Sequence, residues 1–203
     1  MPELQEALAI EPGARSLNRD NISEAEDIVQ ACGSLVDHNK DTDNITFSHE
    51  LVRKYVEDHN SELLLEQSEI ALSCVTYLLL PVFDKPCTEN VLSFLLPPSF
   101  PVVHKPRSEN DVSKREREFA LSVYACSFWG DHIRETKNER NVEVEVAVFD
   151  AFRSEDRCNA ILETQRVPDF VENFGTSLIH LVCRERIGFI LTMPLPDNRI
   201  TTG

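Results

Sequence analysis

The chain has 203 residues, of which 41% are hydrophobic, so it is long enough and apolar enough for one large or two small domains with a buried core. It has 35 acidic and 20 basic residues, and the net charge of −15 repels phosphate backbones and anionic membrane surfaces. These totals exclude a disordered tail, and they make nucleic acid and membranes poor candidate partners.

Cysteine usage and hydropathy predict a soluble cytoplasmic protein. The six cysteines are widely spaced and form no C-x-x-C pair, which indicates reduced and mostly buried thiols rather than a disulfide framework. The N-terminal residues lack the charged and then apolar plan of a signal peptide. The most apolar run, residues 75–83, contains Pro81 and is shorter than the roughly 20 residues of a membrane span.

The first predicted element is a short helix over residues 2–10, ended by Pro12 and Gly13. Its apolar side is predicted to consist of Leu4, Ala7 and Leu8. The chain therefore begins with an amphipathic element.

Residues 23–56 predict a helix, a polar turn, a short strand and a second helix. Ser23 and Glu26 have the spacing of a capping box at the start of the first helix, and Gly33 is expected to let another element pack closely. A turn is predicted over 37–44 because that stretch is dense in Asp and Asn. The first helix has an apolar face made of Ile28, Val29, Cys32, Leu35 and Val36, the strand covers 45–47, and the second helix begins at Ser48.

This order resembles the latter part of a winged-helix module. The stretches "EALAIEPGARSLNRDNISEAEDIVQACGSLV" and "ITFSHELVRKYV" are similar to the winged-helix region of fungal NACHT and ankyrin-repeat (STAND) proteins, often labelled "GPI inositol-deacylase winged helix domain". His49, Tyr55 and Val56 fall on the family's positions for a histidine and for an aromatic-hydrophobic pair. The resemblance implies a connector between an ATPase and ankyrin repeats. In the family an apolar helix and the ATPase precede the counterpart of the first helix, so the resemblance also implies that an upstream portion of a longer protein is missing. From the residues themselves, His49 is interpreted as making a capping or core hydrogen bond.

A long helix is predicted over 61–80, with Tyr77 in its core and Pro81 at its end. Its segment "IALSCVTYLLL" is similar to the family's helix after the wing. A short helix over 89–96 follows, and then a flexible charged linker over 99–117. The linker's basic residues, Arg107, Lys114, Arg115 and Arg117, are interpreted as a solvated face.

Another helix is predicted over 119–134, and its end, "SFWGDHIRE", matches a Trp-Gly-Asp-His signature of the same family. Trp129 and Gly130 begin this signature, and Trp129 is predicted to be a buried anchor. Asp131 or His132 is expected to bond neighbouring backbone, and a structural role for His132 is favoured over metal ligation.

Residues 142–148 alternate valine with glutamate or alanine, a period of two that is typical of a strand. The family counterpart is a helix, and Phe149 and Phe152 extend an apolar helical face, so we predict a helix here. Ser154 is predicted to cap a further helix that passes Cys158 and Leu162.

The C-terminal stretch "GTSLIHLVC" resembles the opening of an ankyrin repeat, in which a Thr-Pro-Leu-His-x-Ala pattern begins the first helix. The resemblance implies that His180 ties the repeat turn by hydrogen bonds. One degraded repeat cannot bury its own face, so the following repeats are expected to be missing and the chain to be a fragment.

The predicted fold class is therefore mainly α. An N-terminal winged helix with a small β wing is followed by a helical region and a degraded ankyrin-like helix. The predicted organisation is a truncated winged-helix module over 1–60, a helical region over 61–98, the linker over 99–117, a second helical region over 118–172 and a partial ankyrin-like repeat over 173–203.

The sequence contains no phosphate-binding loop, no G-x-S-x-G elbow and no H-E-x-x-H, so we predict no catalytic residues, no cofactor and no metal. The expected function is a non-enzymatic scaffold or regulatory connector that contacts protein partners or missing domains of a longer homologue. The alternative is a winged-helix nucleic-acid binder, although residues 23–36 have no basic side chain for phosphate contacts. A hydrolase related to the family label is a third hypothesis.

Overall fold

The structure, a computed structural model, describes residues 1–59, 65–87, 109–136 and 141–165. Most of these residues are helical, and one two-stranded antiparallel sheet accompanies the helices, which confirms a mainly α fold. The described helices are α1 (Pro2–Ala9), α2 (Ala25–Cys32), α3 (Glu50–His59), α4 (Gln67–Leu78), α5 (Glu109–Glu118), α6 (Ser122–Glu135), α7 (Val142–Phe152) and α8 (Glu155–Thr164). Short 3-10 turns cover Arg19–Asn21, Gly33–Leu35 and Pro81–Phe83.

Helix α4 is the centre of the core and packs mainly against α6 and α7, while α8 packs on both of these helices. Tyr77 is fully buried in α4, as the sequence predicted. Ala71, Val75 and Leu78 recur at helical spacing and are buried too. Because α4 contacts two neighbours, it is apolar over most of its circumference rather than along one stripe.

Helix α7 is confirmed as a helix despite the alternation of its valines. Val144 and Val148 lie one turn apart and are buried together with Phe152, whereas Val142 and Val146 are exposed. The Asn141 side chain accepts hydrogen bonds from the first free amides of the helix. Every second valine therefore lies on the buried face, and the remaining valines face solvent.

The predicted Ser154 cap is also confirmed, because its hydroxyl oxygen accepts a hydrogen bond from the Arg157 amide at 3.4 Å. Helix α8 buries Cys158, Ile161 and Leu162 against the rest of the core.

The chain between α2 and α3 forms a β-hairpin of β1 (Val36–Asn39) and β2 (Asn44–Phe47), in which Val36 pairs with Phe47. The predicted strand over 45–47 is thus confirmed, but β1 was missed because its residues were assigned to the helix and to the turn. The Asn39 side chain accepts hydrogen bonds from the amides of Asp41 and Thr42, and this local bonding closes the turn.

Two further predictions for this region are wrong. The N-cap of α2 is Glu24, and neither it nor Ser23 makes the predicted capping box. Helix α2 ends at Gly33, which has φ +60°, and a side chain there would meet nothing within 4 Å. Gly33 therefore adopts the positive φ that stops the helix, and it does not allow another element to pack closely.

Helix α1 is present, but of its predicted apolar side only Ala7 packs against the core. Leu4 and Leu8 are 38% and 58% exposed, while Glu6 and Ala9 are buried. A carboxylate is buried here in place of leucine because hydrogen-bond donors from α4 and from the start of α6 meet it.

The flexible linker predicted over 99–117 is helical from Glu109 onward, where α5 begins. Arg115, expected on a solvated face, is only 5% exposed. Periodicity could not reveal this helix because its buried side chain is charged.

The predicted short helix over 89–96 and the ankyrin-like segment over 173–203, with His180, lie outside the described residues. Among the helices that the structure describes, none has the length and apolar character that a membrane crossing requires.

Candidate functional site

The residues of the predicted Trp-Gly-Asp-His signature lie together in α6. Trp129 is fully buried, as predicted, and stacks on Phe152 of α7 with 4.3 Å between ring centroids. Its Nε1 has no hydrogen-bond partner within the described part of the chain. Gly130 is also buried in this helix. Trp129 therefore anchors α6 to α7 by packing alone.

His132 does not hydrogen-bond to neighbouring backbone, as the sequence suggested. It hydrogen-bonds to two side chains. Its Nδ1 lies 2.7 Å from Gln67 Oε1 at the start of α4, and its Nε2 lies 2.8 Å from Tyr124 Oη. Asp131 pairs instead with Arg134, one turn further along α6. Asp131 and His132 thus contact side chains on α4 and α6 and not free backbone groups.

Both ring nitrogens of His132 are engaged. Because the amide oxygen of Gln67 can only accept, Nδ1 carries the hydrogen and Nε2 accepts from the Tyr124 hydroxyl. Burial lowers the pKa of His132 and raises that of Tyr124, which favours the neutral form of both groups. His132 therefore joins two helices and offers no free nitrogen to a substrate or metal.

A buried carboxylate joins α1 to the core. Glu6 is 5% exposed, and its Oε2 accepts hydrogen bonds from the Tyr77 hydroxyl and from the Leu121 amide, the latter at 3.0 Å. Burial, and then the Glu6 carboxylate, raise the pKa of Tyr77 far above its usual range. Sequence reasoning missed Glu6, although a core tyrosine needs a partner for its hydroxyl.

A second buried polar group, also missed, connects α5 to α8. Arg115 Nη1 donates to Ala160 O at 3.1 Å and to Thr164 Oγ1 at 3.2 Å, and Nη2 donates to Lys85 O at 3.0 Å. The guanidinium also lies 3.9 Å from the Glu163 carboxylate. These bonds are structural ties, and they satisfy the charge that α5 brings into the core.

The residues assigned to the winged-helix motif lie in α3 or just before it. His49 Nδ1 accepts a hydrogen bond from the Leu51 amide at 3.0 Å, so it caps α3 in the way that the sequence indicated. Tyr55 is 59% exposed and stacks on His59 with ring centroids 4.8 Å apart. Tyr55 is therefore available for contact rather than part of a core.

The 3-10 turn Gly33–Leu35, the hairpin and α3 together expose four large apolar side chains, which we call the hairpin–α3 surface. Leu35 is 49% exposed, Phe47 42%, Leu51 69% and Tyr55 59%. Leu51 and Tyr55 lie one turn apart on the same face of α3. From Ala25 to His59 only one residue, Ile28, is buried, so this part of the chain has little core of its own.

The described residues contain no group of three or more His, Cys, Asp or Glu side chains that could hold a metal ion. Cys74, Cys126 and Cys158 are buried free thiols, and burial raises the pKa of each. Low-pKa nucleophilic thiols are therefore not formed at these positions.

No protein-family model matches the sequence, and neither a curated protein nor a solved structure matches it. The resemblance to fungal NACHT and ankyrin-repeat proteins therefore stays a prediction.

Proposed function

We propose that this protein is a non-enzymatic protein-interaction module, a scaffold or regulatory connector that contacts other domains or proteins through the hairpin–α3 surface. The observation that carries the proposal is the exposure of Leu35, Phe47, Leu51 and Tyr55 in a region with one buried residue. Several large apolar side chains exposed on neighbouring elements are typical of contact sites. The helix–hairpin–helix order of α2, β1, β2 and α3 is consistent with a winged-helix connector.

The charge of this region indicates which class of partner it can bind. Between Ala25 and His59 the chain has eight acidic and three basic residues. This balance repels phosphate backbones, which disfavours the alternative of a nucleic-acid binder. It suits a protein surface whose apolar centre is surrounded by Lys and Arg.

The proposal is tested by photo-crosslinking the full chain with p-benzoylphenylalanine in place of Tyr55. The control carries the same group at Lys54, which is exposed on the same helix but lies about 100° away around its axis. We expect a discrete protein adduct, or an internal crosslink to another part of the chain, at position 55 and not at position 54.

A second substitution sharpens the test. Leu51→Asp should abolish the adduct without changing the circular dichroism spectrum, because Leu51 is 69% exposed, whereas Lys54→Asp should leave the adduct intact. Equal labelling from positions 54 and 55 would refute the proposal. Affinity for duplex DNA that depends on salt and persists at physiological ionic strength would replace it with the nucleic-acid alternative.

A further inference from the structure

An open cavity of about 650 Å³ lies between α1, the Arg19–Asn21 turn and the junction of α5 with α6. This volume is within the range of small-molecule sites, roughly 300–1,000 Å³. Its lining includes the apolar residues Pro2, Ile22 and Ala120, the arginines Arg19 and Arg117, and the polar residues Gln5, Glu6 and Glu118. None of the residues that line this cavity belongs to the hairpin–α3 surface, so the cavity is a separate site.

Arg19 and Arg117 differ from the other arginines in the described part of the chain, because neither has a carboxylate partner there. Arg19 Nη2 donates to the backbone oxygen of Glu118 at 2.8 Å, and its guanidinium lies 5.6 Å from the centre of the Phe119 ring. These contacts orient Arg19 but leave its positive charge unpaired. The remaining described arginines all pair with carboxylates: Arg15, Arg53, Arg115, Arg134, Arg153 and Arg157.

Unpaired arginines are unexpected in a chain with 35 acidic and 20 basic residues. The acidic residues at the cavity have other partners. Glu6 Oε2 accepts from Tyr77 and from the Leu121 amide, and the Glu118 carboxylate lies 3.7 Å from Lys114 Nζ. The two guanidinium groups thus remain as donors for an external oxyanion.

We propose that this cavity binds a small organic anion, with its carboxylate or phosphate group at Arg19 and Arg117 and its hydrocarbon part against Pro2, Ile22 and Ala120. Carboxylate and phosphate share the oxygen geometry that a guanidinium fork recognises. The overall charge of the chain repels anions at long range. Arg19 and Arg117 therefore supply the affinity for the anion, and they make the site selective for a ligand with a single charged group.

The test is isothermal titration calorimetry on the full chain with hexanoate, monohexyl phosphate, inorganic phosphate and the uncharged hexanamide. At least one hexyl anion should bind in the millimolar range or tighter, and hexanamide should not. Arg117→Gln should weaken that binding by about tenfold or more, since one charge-assisted hydrogen bond is lost. Arg153→Gln is the matched control, because Arg153 is an exposed arginine outside the cavity.

The pattern of binding identifies the group. Binding of hexanoate alone indicates a carboxylate ligand, and binding of hexyl phosphate alone indicates a phosphate ligand. If inorganic phosphate binds as tightly as hexyl phosphate, the role proposed for the hydrocarbon part is refuted. Arg19→Gln provides a second variant, and circular dichroism establishes that both variants are folded. The proposal is overturned if no anion binds, or if folded Arg117→Gln and Arg19→Gln bind as well as the wild type.

Discussion

Replacing Arg115 by methionine is expected to destabilise the protein by about 3–5 kcal/mol, the usual loss when one partner of a buried ion pair is removed. The Arg115 side chain is 4% exposed and that of Glu163 6% exposed. Arg115 makes three hydrogen bonds, to Ala160, Thr164 and Lys85, and bonds to charged groups contribute about 1.5–3 kcal/mol each. Desolvation of the guanidinium offsets part of that gross contribution, so the net value is smaller than their sum.

The assay is urea unfolding followed by circular dichroism at equal protein concentration. With an m-value of about 2 kcal/mol per M, the midpoint should fall by about 2 M. Arg153→Met is the matched control, because Arg153 is 65% exposed and lies 3.6 Å from Asp150, and it should lose less than about 1 kcal/mol. The double variant Arg115→Met/Glu163→Met should lose less than the two single losses combined, since no buried charge is left alone. Equal midpoints for Arg115→Met and Arg153→Met would refute the docking of α5 on α8.

Two further predictions concern titratable groups. Because burial lowers the pKa of His132 below its ordinary value of 6.5, the unfolded chain binds a proton more readily, and stability falls as the pH drops from 6.5 until it passes the lowered pKa. Urea midpoints at about pH 7 and pH 5 should therefore differ less in His132→Gln than in the wild type, and an equal decrease would contradict this reasoning. Burial raises the pKa of Cys74 to about 12 and of Cys158 to about 11, so a thiol reagent should label half-buried Cys32 before it labels either of them. Rapid labelling of Cys74 in the native protein, measured by peptide mapping, would contradict the described core.

Local signals predicted those elements whose ends and faces are set by neighbouring residues. Ser154 caps α8, and His49 caps α3, because a side chain within two or three residues satisfies a free amide. The apolar spacing in α4 predicted the burial of Tyr77. The first strand was missed because Val36 continues the apolar spacing of α2, whereas the positive φ of Gly33 and the 3-10 turn Gly33–Leu35 separate the two elements.

The sequence by itself determined a mainly α chain with one short strand, because helical periodicity, caps and turn residues act over a few positions. Only the tertiary structure decided which polar groups are buried. Glu6 lies in the core because Tyr77 and the Leu121 amide, 71 and 115 residues away, donate to it. Arg115 lies in the core because acceptors on α8 and at Lys85 surround its guanidinium group. A charged residue is buried only where distant partners repay its desolvation, and no local pattern records those partners.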